Sequence, residues 1–534
     1  MSAKQRSFWG WGYEEDAIDE TRRKNLRAMI QMQLGKVELH ESAPPSLAEI
    51  ELPASRTQIP GKLADIVSTD TRERAAHSYG KSFRDVVRAL SRQYPNPPDA
   101  VALPRSEEEL VAVLDWCDSA GHAAIPFGGG SSVTGGVEPP PRGERAVVTI
   151  DLRNLGQLLE VDPLSRAARI QAGAYGPALE EQLAAHDFTL RHFPQSFEFS
   201  TLGGWIATRA GGHFATNQTH IEDFLESVRV VTPRGTLETR RLPGSGAGPS
   251  PDRLFAGSEG ALGIITEAWM RVQRPPTFRA SCSVKFEHFN EAANAVRELG
   301  QSGLYPSNCR LLNPEEALVS GVGFDKKSVL LVAFESADHP PREAMRRALD
   351  ICTVHGGKYS EGSDKVREGG TGERGGAAGA WRRTFLEGPY LRDALTRMGL
   401  IIETFETAIT WDRFEEFHEG VQDAVRSAIH EVSGAGIVSC RFTHVYPDGV
   451  APYYTVLAAG KESGRLQQWD EIKAAASEAI IRLGGTITHH HAVGRDHRPW
   501  YDRQRPDLFA AALRGAKREL DPKGTLSPGI LIDM

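Results

Sequence analysis

Eleven consecutive residues, Pro126 to Gly136 (P-F-G-G-G-S-S-V-T-G-G), hold five glycines and three hydroxyl side chains, and they constrain this chain more than any other stretch. They lie between an apolar run, His122-Ala-Ala-Ile125, and, after a Pro-rich turn, the strand-like Ala146-Val-Val-Thr-Ile150. A backbone without Cβ atoms can approach a ligand closely and turn several N–H groups toward one anion. A pyrophosphate is held in that way.

Gly/Ser-rich runs are more often flexible linkers. Linkers usually border polar sequence, and the apolar flanks here argue the other way. Two familiar phosphate loops are excluded. No Gly-Lys-Ser/Thr follows, and the glycines do not fall as G-x-G-x-x-G.

A chain of 534 residues is long enough for several domains and a large core. Hydrophobic content of 40% and charged content of 25% fit a soluble globular protein. No apolar run has transmembrane length, and Met1-Ser-Ala-Lys-Gln-Arg-Ser-Phe-Trp9 lacks the apolar core of a secretion signal. Cys117, Cys282, Cys309, Cys352 and Cys440 are scattered without C-x-x-C pairing, which suits a reducing cytosol and neither a disulfide framework nor a zinc site. The net charge of −8 argues against nucleic-acid binding. Abundant Ala, Arg, Gly and Pro suggest a bacterial source, so we expect a cytoplasmic protein.

Residues 14–35 and 70–92 read as helices. Ala100–Leu103 reads as a strand closed by Pro104. Ser106 is an expected N-cap, with Glu109 completing a capping box for a helix to about Ala120. Strand patterns at Ala167–Ala172 and Val228–Val231 alternate with a helix at Tyr175–His186, and Thr236–Thr239 returns as a hairpin partner. After Pro275-Pro276 the pattern restarts as βαβ-like units: Ser281–Phe286, Phe289–Leu299, Val329–Phe334 and a helix at 342–355. Residues 361–380 are Gly-rich and charged, and read as disorder or a lid.

Two further glycine-rich elements follow the first. One is Phe199-Ser-Thr-Leu-Gly-Gly-Trp-Ile-Ala-Thr-Arg-Ala-Gly-Gly212; the other is Gly257-Ser-Glu-Gly-Ala-Leu-Gly-Ile-Ile-Thr-Glu267. Each alone signals little more than a turn. Three in order within one α+β region are a stronger sign.

With these three elements the chain resembles the FAD domain of the vanillyl-alcohol oxidase and p-cresol methylhydroxylase superfamily, over roughly residues 94–275. Further segments extend the likeness to about residues 80–530 and resemble the alkyldihydroxyacetonephosphate synthases: His192–Thr201, Ile206–Gly211, Val230–Gly235, Cys309-Arg310-Leu311, Tyr390-Leu-Arg392-Asp393, Phe405-Glu-Thr407, Trp411-Asp-Arg413, Cys440-Arg441 and His489-His490-His491-Ala-Val-Gly494. The resemblance implies an α+β fold: a two-part p-cresol-methylhydroxylase-type FAD-binding domain plus an α/β cap domain with an antiparallel sheet. The expected division is 1–93 as an N-terminal helical region and start of the FAD domain, 94–275 as the FAD-binding domain, 276–485 as the cap, and 486–534 as a segment returning to the active site.

The resemblance also implies site residues. Cofactor contacts fall on Pro126, Phe127, Gly128, Gly129, Gly130, Ser131 and Ser132, on Gln195, Ser196, Phe197, Glu198, Phe199, Ser200 and Thr201, on Thr208, Arg209, Ala210 and Gly211, and on Gly257, Ser258, Glu259, Gly260, Ala261, Leu262 and Gly263. The substrate phosphate falls to Arg392, with Arg310 and His192 as further site residues, and the catalytic group is Tyr453 with His489, His490 and His491. A guanidinium fork suits phosphate. By residue type alone, Tyr453 in Pro452-Tyr-Tyr-Thr-Val-Leu457 is a packing residue of a strand. Read as a strand, the histidine run places His489 and His491 on one face and His490 on the other, so that at most two converge. With no adjacent Cys or acidic ligand pattern, acid/base work and anion stabilisation are preferred to metal binding. Nothing singles out His122 as an attachment point, so noncovalent FAD is expected.

Two activities follow from the resemblance. The first is exchange of the acyl group of acyl-dihydroxyacetone phosphate for a long-chain alcohol, without net redox. The second is FAD-linked oxidation of a 2-hydroxy acid such as D-lactate or glycolate, to which the ending Asp521-Pro-Lys-Gly-Thr-Leu-Ser-Pro-Gly529 is similar. Ala451 departs from the cysteine of animal synthases. The expected partners are a lipid-like or hydroxy-acid small molecule, a membrane surface touched peripherally, and a second copy in a homodimer.

Overall fold

The computed structural model describes residues 4–360, 366–369 and 376–534. Most of the Gly-rich stretch 361–380 therefore lies outside the described residues, and residues 376–380 open the helix Gly376–Arg397.

Three sheets organise these residues. The first has four strands in the order Val67–Ser68, Ala100–Ala102, Val147–Asp151, Ala123–Phe127. Its last three strands run parallel, because the helix Glu107–Ala120 crosses over between Ala100–Ala102 and Ala123–Phe127. Ser106 caps that helix by accepting the Glu109 N–H, and Gly121 ends it at φ +70°. The expected capping box does not close: the Glu109 carboxylate takes the N–H and guanidinium of Arg105 instead. The second sheet is antiparallel, ordered Leu158–Asp162, Ala167–Gln171, Ile264–Arg271, Leu225–Thr232, Gly235–Glu238. Its last two strands form the expected hairpin.

The third sheet has eight strands. Its main path runs Val366–Glu368, Phe278–Phe286, Ser328–Ser336, Asn308–Leu312, Gly436–Val445, Gly449–Ala459, Leu400–Glu406, and Ile409–Thr410 pairs with Gly449–Ala459. The βαβ-like expectation holds in split form: Phe278–Phe286 and Asn308–Leu312 run parallel and are joined by the helix Phe289–Gln301, with another strand between them. Ser328–Ser336 inserts between Phe278–Phe286 and Asn308–Leu312 and runs antiparallel to both. The spacing of strand and helix patterns is the same in either arrangement, so sequence could not choose.

Each half buries its own core. Trp205, Leu110 and Phe255 lie in one cluster, and Phe286, Phe417, Tyr454 and Trp469 in the other. The reading of 70–92 as one helix becomes two, Thr71–Ala76 and Phe83–Leu90. The second carries Phe83 into the core of the eight-stranded half, stacked 6.3 Å from Trp469. Among the described residues no helix is long and apolar enough to cross a membrane.

Candidate active site

The three glycine elements meet at the end of strand Ala123–Phe127. A Cβ on Gly128 would lie 2.2 Å from Thr201 Oγ1, and one on Gly129 would lie 1.8 Å from the Phe199 carbonyl oxygen. The first element thus sits against the second with no room for a side chain. Gly260 of the third element approaches Pro126, where a Cβ would be 3.0 Å from the ring. Among the described residues no protein acceptor faces the N–H groups of Gly128, Gly129, Gly130, Ser131 or Ser132. Gly130 is buried and the other four are partly exposed, and a run of backbone donors without protein partners at a turn is the donor set a pyrophosphate requires. Ser258 Oγ is likewise buried without a partner. These residues fit an FAD-sized ligand.

Several side chains expected at the cofactor also bond within the protein. Thr201 caps the helix Leu202–Thr208 by accepting the Gly204 N–H. Ser200 Oγ accepts from the Trp205 indole at 2.7 Å, Thr208 bonds the Gly204 carbonyl, and Arg209 pairs with Glu222. Ser196 lies 3.1 Å from Ser200, oxygen to oxygen. The Glu259 carboxylate accepts the N–H groups of Val493 and Gly494 at 2.9 and 2.7 Å, and burial lifts its pKa to about 7 against those two hydrogen bonds.

That contact leads to the histidines. Residues 487–493 belong to no strand or helix, so the strand reading of His489–His491 is corrected. The cause is Glu406, fully buried at the end of strand Leu400–Glu406. Its carboxylate accepts the N–H groups of His489, His490 and His491 at 2.6, 3.1 and 2.9 Å and the Thr488 hydroxyl at 2.6 Å. Three successive amides curl around one anion, and a curled backbone does not alternate its side chains. All three rings gather: His489 and His490 have centroids 5.5 Å apart, His490 and His491 4.7 Å.

Tyr453 joins them, stacked 6.0 Å from His490 and edge-on 5.4 Å from His491. Strand register explains its place, because Tyr453 pairs with Glu406 on one side and with Arg441 on the other. The Arg441 guanidinium lies 3.9 Å from the Tyr453 ring centroid and bonds Glu316 at 2.7 Å. Three residues not anticipated complete the cluster. His220 and His444 lie 4.5 and 4.9 Å from His489, and the Tyr446 hydroxyl bonds His489 Nε2 at 2.7 Å.

Burial pushes His444, His489, His490 and His491 below the ordinary imidazole range, and Glu406 opposes that shift at the last three. Burial alone would raise the Glu406 carboxyl. The neighbouring histidines and the Thr488 hydroxyl outweigh it and bring the group well below the carboxylate range. At neutral pH the site therefore holds one anion beneath a set of neutral imidazoles. Ring nitrogens of His444, His489 and His490 lie within 4.8 Å of one another, close enough to hold a cation.

The other expected residues lie around this centre. Arg392, on helix Gly376–Arg397, has its Nη2 3.6 Å from Glu403, three positions before Glu406. Lys473 and the Trp469 indole hold Glu403 more closely, at 2.9 and 2.6 Å, and Arg392 Nε is buried without a partner. Arg310 is buried beside Arg441, and burial together with that second guanidinium pushes its pKa down to about 9. His192 lies in the wall formed by Trp205 and Phe224, with both ring nitrogens unpartnered and its pKa driven by burial to about 3. Asp521 of the D-P-x-G ending is spent on folding: it accepts the N–H groups of Thr525 and Leu526 and the Lys517 ammonium.

Known proteins are similar in sequence and in overall fold. Residues 98–240 match an "FAD binding domain" and residues 275–531 "FAD linked oxidases, C-terminal domain". The chain is 33% identical to the alkyldihydroxyacetonephosphate synthase of Dictyostelium discoideum, over 88% of this chain and 79% of that one. It is 25% identical to the glycolate oxidase subunit GlcD of Bacillus subtilis, over 82% and 89% of the two chains. A solved alkyldihydroxyacetonephosphate synthase structure superposes with a TM-score of 0.82 at 27% identity, covering 99% of each chain.

Proposed function

The chain belongs to the FAD-linked oxidase family, related to the alkyldihydroxyacetonephosphate synthases, and from that premise we propose that it exchanges the acyl group of acyl-dihydroxyacetone phosphate for a long-chain alcohol. The carboxylate leaves with its oxygen, the alcohol oxygen bonds to the same carbon, and the alcohol proton is passed on, so no electrons are gained or lost overall. Bound FAD supplies a ring that can activate the substrate carbon next to the ketone.

The chain's own residues divide the remaining work. Arg392 holds the phosphate: Lys473 and the Trp469 indole hold Glu403 more closely than the guanidinium does, and Arg392 Nε has no protein partner. His490 and His491, neutral and buried, accept the proton lost from carbon, and the Glu406 anion stabilises the imidazolium that results. Tyr453, stacked on His490, relays that proton from carbon to the histidines. Arg441 holds the Tyr453 ring through its guanidinium. FAD is held noncovalently: His122, the histidine beside the loop, is engaged with Thr57 Oγ1 at 2.7 Å.

The observation that carries this reading is the gathering of Tyr453, His490 and His491 over one buried carboxylate, with an unpaired arginine Nε on the adjoining helix. The test is incubation of the holoenzyme with palmitoyl-dihydroxyacetone phosphate and labelled hexadecanol. Label in the ether product without loss of flavin colour supports exchange. Anaerobic bleaching by glycolate or D-lactate, with no label incorporated, supports the 2-hydroxy-acid oxidase instead.

A further inference from the structure

The N-terminal residues Arg6–Tyr13 (R-S-F-W-G-W-G-Y) have no part in the reading above, yet they touch both ends of the site. They form a closed loop: Arg6 and Tyr13 pair as an antiparallel bridge, and the Ser7 N–H bonds the Gly12 carbonyl at 3.0 Å. On one side, Arg6 donates to the carbonyl oxygens of Gly129 and Phe199 at 3.2 and 3.3 Å and to the Tyr175 hydroxyl at 2.5 Å. Gly129 is in the loop of unpaired amides, and Phe199 opens the second glycine element. On the other side, the Trp11 N–H bonds Asp393 Oδ2 at 2.6 Å, and the Tyr13 N–H meets the Tyr390 hydroxyl at 3.4 Å. Asp393 follows Arg392 on the same helix. The Trp11 ring lies 6.1 Å from Phe199 and so closes the space between the two attachments.

The fit is close where it needs to be. A Cβ on Gly10 would lie 2.3 Å from Asp393 Oδ2, and one on Gly12, at φ +69°, would lie 2.3 Å from the Tyr390 hydroxyl. Asp393 is 8% exposed, which makes its bond to Trp11 a buried contact across 382 residues of sequence.

We propose that Arg6 and Trp11 are positioning residues: they hold the pyrophosphate-binding loop and the phosphate-binding arginine at a fixed separation, so that cofactor and substrate phosphate are seated by one continuous element. The phosphate half of this proposal rests on Arg392 as the phosphate ligand; the mechanical half does not. Helix and loop come from opposite halves of the molecule, and Arg6–Tyr13 bonds to both.

The experiment uses the full-length holoenzyme, with inorganic phosphate as the probe. Gly10→Ala displaces the Asp393 carboxyl without touching any ligand, and should weaken phosphate binding about tenfold, the loss expected for one buried hydrogen bond. FAD affinity should stay within about twofold. Asp393→Asn keeps an oxygen for the Trp11 N–H and should bind phosphate like the parent, whereas Asp393→Ala should behave like Gly10→Ala. Arg6→Ala should loosen FAD about tenfold, with partial recovery in Arg6→Lys. Hydrogen exchange supplies a readout independent of ligands: the amides of residues 388–397 should exchange faster in Gly10→Ala. Unchanged exchange there, or unchanged FAD affinity in Arg6→Ala, overturns the proposal. Arg392→Ala separates the two ideas. If it leaves phosphate binding intact, the phosphate assignment falls and the exchange measurement alone decides the coupling.

Discussion

The glycine cradle and the histidine site are built on opposite terms. In the cradle the working groups are backbone amides, supplied by contiguous runs in which glycine makes room. In the histidine site the working groups are side chains, and their placement comes from partners far away in sequence. Glu406 binds the amides of His489 to His491 from 83 to 85 residues upstream. A backbone site is therefore sensitive to volume, and a side-chain site to charge.

The largest expected effect tests the volume half. Gly129→Val drives a branched side chain into the Phe199 carbonyl, already 1.8 Å from a single Cβ. FAD affinity should fall by more than about a hundredfold, and the protein should purify colourless. A yellow variant would mean that the loop can move aside. Next comes the charge half. Glu406→Gln keeps the volume, removes the anion and turns an NH2 toward two of its four donors, and kcat should drop about a hundredfold or more while flavin content is unchanged. Glu406 raises the proton affinity of the three histidines, so its loss should also move the acid limb of the pH–rate profile to lower pH. A simple packing defect would not shift that limb. Tyr453→Phe should lower kcat about a hundredfold with KM little changed.

A smaller effect concerns stability. Burial holds His192 at about 3 and His418 and His497 at about 4, below the ordinary imidazole value. Their unfolded forms bind protons first, so this stability is present above pH 6.5 or so and drains away as pH falls toward the folded values. Glu259 and Asp393, each raised by burial to about 7, act in the opposite sense: their stability is complete below their ordinary values and is lost as pH rises through 7. His192→Phe should remove about 1.4 kcal/mol of acid sensitivity per pH unit in that window, read as a smaller drop in Tm between pH 7.5 and 5. A last change, of similar size, is Glu259→Gln, which leaves one oxygen for only one of the Val493 and Gly494 amides, turns an NH2 against the other, and should cost about 1–3 kcal/mol near neutral pH.

The same contrast explains what could be read from the sequence. The three glycine elements were legible because each is continuous and announces itself by lacking side chains. The Ser106 cap and the hairpin at 225–238 were legible for similar local reasons. Arg392, Tyr453 and the histidines were legible as residues through family likeness, while their arrangement was not. The run His489–His491 follows a glycine pair and has strand-like neighbours, and nothing local reveals that its amides belong to a carboxylate on another strand. Glu406 stood inside a quoted segment without a role, and Arg441 beside Cys440 likewise. His220, His444 and Tyr446 carried no signal beyond residue type. Their meeting depends on the register of Gly436–Val445 with Gly449–Ala459 and on the fold of loops that cross between halves. The order of strands around Ser328–Ser336 was hidden for the same reason.

The histidine run has one further consequence, for motion between the halves. Its amides are bound at one end by Glu406 of the eight-stranded half and at the other by Glu259 of the glycine-rich half. Swinging the halves apart like a clamshell would tear this seam, breaking buried amide-to-carboxylate bonds each time. The seam thus ties the cofactor's half to the substrate's half through carboxylates at both ends of one short stretch of backbone.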